Sequence, residues 1–165
     1  MATNSINTYE VPTTNRERTM PLQPAFFAYN STLRSDVTGD GTAYTLIFNT
    51  VVLDQNSDYN NTTGVFTAPV TGFYMFFSSV SMSDVTKSNG SLVFDLNAGT
   101  PTHGEIKKQF RLIATADDEL IVNIKAGMYL TAADTIKIVL TIAGGIKDHD
   151  VDDSLLTSFS GALVF

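Results

Sequence analysis

The stretch Tyr59-Asn60-Asn61-Thr62-Thr63-Gly64-Val65-Phe66-Thr67-Ala68-Pro69-Val70-Thr71-Gly72-Phe73-Tyr74-Met75-Phe76-Phe77 decides how this chain folds. Thr63-Gly64 reads as a tight turn, because glycine accepts the positive φ such a turn requires. Val65 to Ala68 then reads as a short strand that stops at Pro69, which has no N–H to give to a ladder. Gly72, Tyr74 and Phe76 occupy alternate positions, so they share one face of a second, longer strand running to Val80. Both segments are rich in β-branched and aromatic residues, and neither has the 3.6-residue apolar spacing of a helix.

Working outward, the same signature recurs. Ala25–Tyr29, Ala43–Phe48, Val51–Leu53, Ser91–Leu96, Phe110–Ala114, Leu120–Ile124, Thr135–Ile142 and Ser158–Phe165 are all short, β-prone and separated by Gly, Asn, Asp or Pro. Glu119–Met128 is the nearest helical candidate, but Ile121-Val122-Asn123-Ile124 is β-branched and Gly127 interrupts it. About nine or ten strands without a crossover helix imply antiparallel pairing, and hence a sandwich or jelly roll. There is no internal repeat.

Composition narrows the function. At 165 residues the chain has the length of one domain. Hydrophobic residues at 43% and charged ones at 16% make it too apolar for disorder and too interrupted for a membrane span. The absence of cysteine excludes disulfides, thiolate metal sites and cysteine nucleophiles. A net charge of −7 argues against a nucleic-acid partner and against an anionic membrane surface. Met1–Ser5 has neither a basic start nor an apolar run, so no secretory leader is expected there. Residues 1–23 read as a polar arm too short to bury much of its own surface, and a second chain or a symmetry mate is expected to hold it.

Five pieces occur in a telling order: Ala25-Phe26; Tyr59 with Thr63-Gly64-Val65-Phe66 and Pro69; Gly72-Phe73-Tyr74-Met75-Phe76; Ala133-Asp134; and Ser158-Phe159-Ser160-Gly161-Ala162-Leu163. From residue 24 to 165, and most strongly over 59 to 77, the chain resembles the globular domain of the complement C1q and tumour necrosis factor-like superfamily. It departs from that pattern in having no collagen-like stalk, no Trp and no Cys, and in carrying Ala133 where a Gly-Asp turn is usual. Residues Gln109 to Met128 look longer than the family's segment, which suggests an additional hairpin. These departures point away from an animal complement or adipokine protein and toward a microbial or viral one.

The resemblance implies an all-β, ten-stranded antiparallel jelly-roll sandwich over residues 24–165, assembled as a homotrimer in which aromatic residues of the inner sheet meet at the threefold axis. Phe26, Tyr59, Phe66, Tyr74, Phe76, Phe159, Gly161, Leu163 and Phe165 are then the residues of core and trimer packing. Gly64, Pro69, Gly72 and Asp134 form turns. The apolar end Ala162-Leu163-Val164-Phe165 fits a central strand or an interface, since exposed apolar surface costs about 25 cal/mol per Å².

No catalytic constellation assembles. Ser160-Gly161 lies in a strand and not at a nucleophile elbow. Asp148-His149-Asp150-Val151-Asp152-Asp153 could suggest a cation or catalytic site, but it lacks calcium-loop spacing and reads as a solvated acidic loop. Some members bind calcium at the trimer apex; the corresponding Thr100–Glu105 holds one carboxylate, so no metal ligands are carried over. Asp117-Asp118-Glu119 reads as an acidic hairpin turn, and Lys107, Lys108 and Arg111 are too few for a nucleic-acid footprint. The acceptor triplets at Asn30, Asn60 and Asn89 carry little weight in an Asn/Thr/Ser-rich chain.

The expectation is therefore a non-enzymatic trimeric structural or binding protein without cofactor or metal, on the surface of a virus particle such as a phage. It would be a head decoration, spike, knob or fibre tip, anchored by residues 1–23 to another virion protein. The alternative is a secreted or surface-displayed bacterial recognition module, extracellular or on the cell surface. Its host glycan or protein would be bound through the loops Asp54–Asn61, Asp84–Asn89 and Ala143–Asp153.

Overall fold

Thr135–Ala143 alternates half-buried and buried positions along its whole length, with Ile136, Ile138, Leu140 and Ile142 inward. That is the pattern of a strand in a sheet with one face on a core. The computed structural model describes residues 23–85, 90–98, 105–110 and 118–165, with backbone alone for 105–110 and for residue 118. Thirteen strand segments are present among the described residues: β1 Ala25–Tyr29, β2 Arg34–Thr38, β3 Ala43–Thr45, β4 Thr50–Asp54, β5 Tyr59–Asn60, β6 Val65–Thr67, β7 Gly72–Val85, β8 Ser91–Ala98, β9 Glu105–Phe110, β10 Asp118–Leu130, β11 Thr135–Ala143, β12 His149–Val151 and β13 Ser158–Leu163. No helix occurs among them, so none is long and apolar enough to cross a membrane.

All pairings are antiparallel, and the strands form two stacked sheets. The first holds β10, β7, β13, β1 and β4, with β12 and β2 continuing beside the far half of β7. The second holds β5, β6, β11, β8 and β9, with β3 on β11. β7 is fourteen residues long and carries β13 at Tyr74–Ser79 and β12 at Met82–Ser83 along one edge.

The ten expected strands become thirteen segments for local reasons. Ala43–Phe48 stops at Thr45 because the Phe48 backbone leaves the ladder and meets the Tyr59 hydroxyl, at 3.2 Å from its N–H. β2, β5 and β12 lack any strand pattern and exist through tertiary pairing. Of the strand expected at Phe110–Ala114, Phe110 is the last residue of β9, and residues 111–114 fall outside the described residues. Among the described residues the additional hairpin expected over Gln109–Met128 is not seen, and residues 111–117, with Arg111 and Asp117, fall outside them. β9 pairs with β8 in one sheet and β10 with β7 in the other, so the chain passes between sheets. The extra length is a thirteen-residue β10. For the same reason Glu119 belongs to a strand and not to a hairpin turn.

Rings fill the space between the sheets. Phe26 stacks on Tyr59 and Phe66, each at 5.0 Å between centroids, and meets the edge of Phe159 at 4.9 Å. Phe66 also meets Tyr74 and Phe76 at 5.7 and 5.5 Å. Burying each such ring is worth about 1.5–3 kcal/mol, with a further contribution from edge and offset contacts.

Candidate functional site

The six rings Phe26, Tyr59, Phe66, Tyr74, Phe76 and Phe159 are buried inside a single subunit. Alternation along β1, β7 and β13 turns Phe26, Tyr74, Phe76 and Phe159 into this core, and it turns a different set outward. Leu163 is half-buried against the core, while Phe165 is 79% exposed and stacks on Phe73 at 5.3 Å. A Cβ at Gly161 would lie 2.6 Å from the Phe76 ring and 2.7 Å from the Phe26 ring.

The turn residues serve the same framework. Gly64 has φ +74 and would bring a Cβ to 2.2 Å from the Leu46 carbonyl oxygen. Gly72 sits where a Cβ would strike Leu163 and the Phe165 carbonyl. Pro69 is exposed two residues after β6 ends. Asp134 is buried, and its Oδ2 accepts the Thr131 N–H at 2.8 Å.

The outward residues of the first sheet form the broadest candidate surface. Phe27 on β1, Phe73, Met75 and Phe77 on β7, Ile121 and Tyr129 on β10, and Leu53 on β4 lie on one side. Phe77, Tyr129 and Leu53 are 46%, 56% and 51% exposed. Residue by residue the face changes character along β7. Its start, beside Tyr129 and Phe165, is aromatic; its middle carries Ser79, Asn123, Lys125, Ser158 and Ser160; its far part is acidic. There the Ser81 hydroxyl lies 2.8 Å from Glu119 Oε1 and 2.7 Å from Asp152 Oδ2, and Ser83 donates to Asp152 Oδ1 at 2.8 Å. Nothing local in the sequence announces this group; the β7–β10 register and the loop after β12 bring it together.

The sequence-predicted loops divide between the two ends of the sandwich. The Asp54–Asn61 loop lies at the end where the termini sit, tied by the Gln55 N–H to the Ala25 carbonyl, as Leu163 N–H is to Pro24. Ala143–Asp153 lies at the opposite end, with Ala143 opposite Ser91 and Asp150 opposite Ser83. Residues 86–89 of the third loop fall outside the described residues. Nor is His149 on a solvated loop. It is fully buried in β12, its Nδ1 is 2.8 Å from Asp148 Oδ1 in a poorly directed contact, and Nε2 has no partner, so it cannot reach a substrate. Among the described residues no three His, Cys, Asp or Glu side chains are arranged to hold a metal. Residues 100–104 and the arm 1–22 fall outside the described residues, as do the side chains of Glu105, Lys107 and Lys108. Asn30 is buried and donates to the Asp152 carbonyl at 3.0 Å, which removes it as a glycan acceptor, whereas Asn60 is exposed.

Beside the terminal-end loop, Ser57, Asp58, Asn60, Asn61, Thr62 and Thr67 line an open polar hollow of about 680 Å³. Asp54 organises its wall by accepting the N–H groups of Asp58 and Tyr59 at 3.0 and 3.1 Å. Loss of hydration, and then the Asp54 charge, raises the Asp58 carboxyl above its ordinary range. One of its oxygens, Oδ2, is buried without a hydrogen-bond partner.

The described residues thus form a two-sheet antiparallel sandwich whose first sheet has an apolar outer face. The chain belongs to the C1q domain family, whose model matches residues 25–164. It is similar to the globular domain of zebrafish complement 1qA protein, at 23% identity and a TM-score of 0.61, over 87% of this chain and 98% of that one. Murine APRIL matches at 16% identity and TM-score 0.55 over 86% and 98%. Eiger TNF from S. frugiperda matches at 12% and 0.59 over 87% and 93%. At these identities the solved structures speak for the fold.

Proposed function

We propose that the protein is a homotrimeric, non-enzymatic binding and structural module displayed on the surface of a virus particle. It is attached there by residues 1–23 to another virion protein. The observation that carries this reading is the outward face of the first sheet, where Phe77, Tyr129 and Leu53 stand open beside Phe73 and Met75. A lone subunit keeps such rings in water at about 25 cal/mol per Å², and closing three copies on one another removes that cost. The acidic far end then points away from the termini and is free to meet a host surface.

Light scattering of the purified chain at micromolar concentration tests the assembly: three times the subunit mass is expected, and a single subunit mass would overturn it. Deleting residues 1–23 is expected to leave a soluble trimer that no longer joins its particle; undiminished attachment would refute the anchoring role.

A second reading, a secreted or surface-displayed recognition module, is favoured by the polar hollow at Ser57–Thr62. Its hydroxyl, amide and carboxylate groups suit the hydrogen-bonding edge of a glycan. Specific retention of a glycan by the isolated protein, lost in an Asn60→Ala variant, would support that reading.

A further inference from the structure

Among the described residues β4 is the edge strand of the first sheet, paired with β1 alone. Such an edge leaves a row of N–H and C=O groups without strand partners, and most proteins guard it with charge, proline or a cover. Here it reads Thr50-Val51-Val52-Leu53-Asp54, and the three apolar residues are 37%, 61% and 51% exposed. They do not share one face. Leu53 opposes Phe27 on the outer side and Val51 opposes Ala28 on the other, because the register shifts between Phe27 and Ala28 and leaves Val52 as the extra residue. Closing subunits through the outer face covers Leu53 and leaves Val51 and Val52 open. Pairing two copies edge to edge along β4 would set two kinked segments against each other, which a bulge disfavours.

We propose that the segment Ile6-Asn7-Thr8-Tyr9-Glu10-Val11 of the same chain lies extended along the free edge of β4 and covers Val52. The chain outside the described domain starts in the right place. Pro24 immediately precedes β1, the strand next to β4, and Ala25 is bonded through its carbonyl to Gln55 just past the end of β4. The Gln23 side-chain amide is tied to the other neighbour of β1, donating to the Leu163 carbonyl of β13 at 2.6 Å, so the arm has to cross β1 to reach β4. Residues 12–23 can span about 40 Å when extended. Reaching the outer edge of β4 from the β13 side needs at most three strand spacings of about 4.8 Å plus the length of β4, about 17 Å, which is within that span. Ile6, Thr8, Tyr9 and Val11 are β-formers, and Pro12 ends any ladder they join. This seat rests on the reading of residues 1–23 as an anchoring arm only for its purpose: it turns the arm from a loose tether into a strand held at a fixed place, and its test needs no particle.

Hydrogen exchange on the full-length protein reads the seat. Backbone amides of residues 50–54 should exchange at least tenfold faster in an Ile6→Asp/Tyr9→Asp variant than in the parent, while the mass by light scattering stays the same; equal exchange would overturn the proposal. Because the chain has no cysteine, Tyr9→Cys or Val11→Cys combined with Val52→Cys gives a clean cross-link. A disulfide within one chain is expected from one of the two pairs. A disulfide-linked pair of chains, which would mean that a second copy donates the arm, overturns the assignment, and so does the absence of any link.

Discussion

The two outer faces of the sandwich were built by the same alternation and came out differently. Outside the second sheet, β11 presents Thr135, Lys137, Val139 and Thr141, and β8 presents Val93 and Asn97, with Asp95 buried between them, a mixed and mostly polar face. Outside the first sheet, β7 and β10 present Phe73, Met75, Phe77, Ile121 and Tyr129. Inward positions are equally apolar in both, so the core does not distinguish them. What separates the sheets is the side that folding leaves open, and the proposed assembly uses the apolar one.

Breaking the inner side first gives the largest effect. Gly161→Val places two methyls where even one Cβ lies 2.6 Å from Phe76; a loss of about 4 kcal/mol is expected in chemical denaturation, in line with severe overpacking. Next comes the outer side. Phe77→Glu should convert the trimer to monomers in light scattering, since an unpaired carboxylate in an interface costs about 3 kcal/mol or more. Lys137→Glu on the opposite sheet should leave the trimer intact, and equal behaviour of the two variants would erase the contrast.

Two smaller changes sharpen the comparison at the terminal end. Ala133 holds φ +75 in the turn after β10, a conformation glycine accepts and alanine resists. Ala133→Gly is therefore expected to raise the melting temperature by a few degrees, corresponding to about 1 kcal/mol. Asp58 gives the smallest effect. Its carboxyl is raised in the folded state, so folding favours its protonated form. The stability this supplies is present below the ordinary carboxylate range and is lost as pH rises through the folded-state value. Asp58→Asn should accordingly stabilise slightly at pH 7 and make no difference near pH 2, measured by thermal melts at both.

Strands that bury one face were legible in the sequence because their pattern is local: Ala25–Tyr29, Thr135–Ile142 and the long run from Gly72 declare themselves through alternation and bounding turns. β12 was not legible. His149-Asp150-Val151 carries the composition of a loop, and only its place between β2 and β7 makes it a strand and buries the imidazole. The site divides in the same way. Rings can be named from the family's order of residues, yet which ring faces inward depends on register, and that order points to Phe76 and to neither Phe77 nor Tyr129. Glu119 and Asp152 stand in two acidic runs that the sequence does show, yet their meeting at Ser81 was not legible, being made only across strands far apart in the chain.

β1 is hydrogen-bonded to β13, with Phe26 opposite Gly161 and Tyr29 opposite Ser158. During synthesis the opening strand must therefore wait, its inner edge bare, until residues 158–163 have left the ribosome. Folding of this domain is thus a late event that depends on very distant contacts, which makes it slow and exposes the nascent chain to aggregation. A ribosome-bound chain stalled before residue 158 should remain sensitive to protease along its whole length.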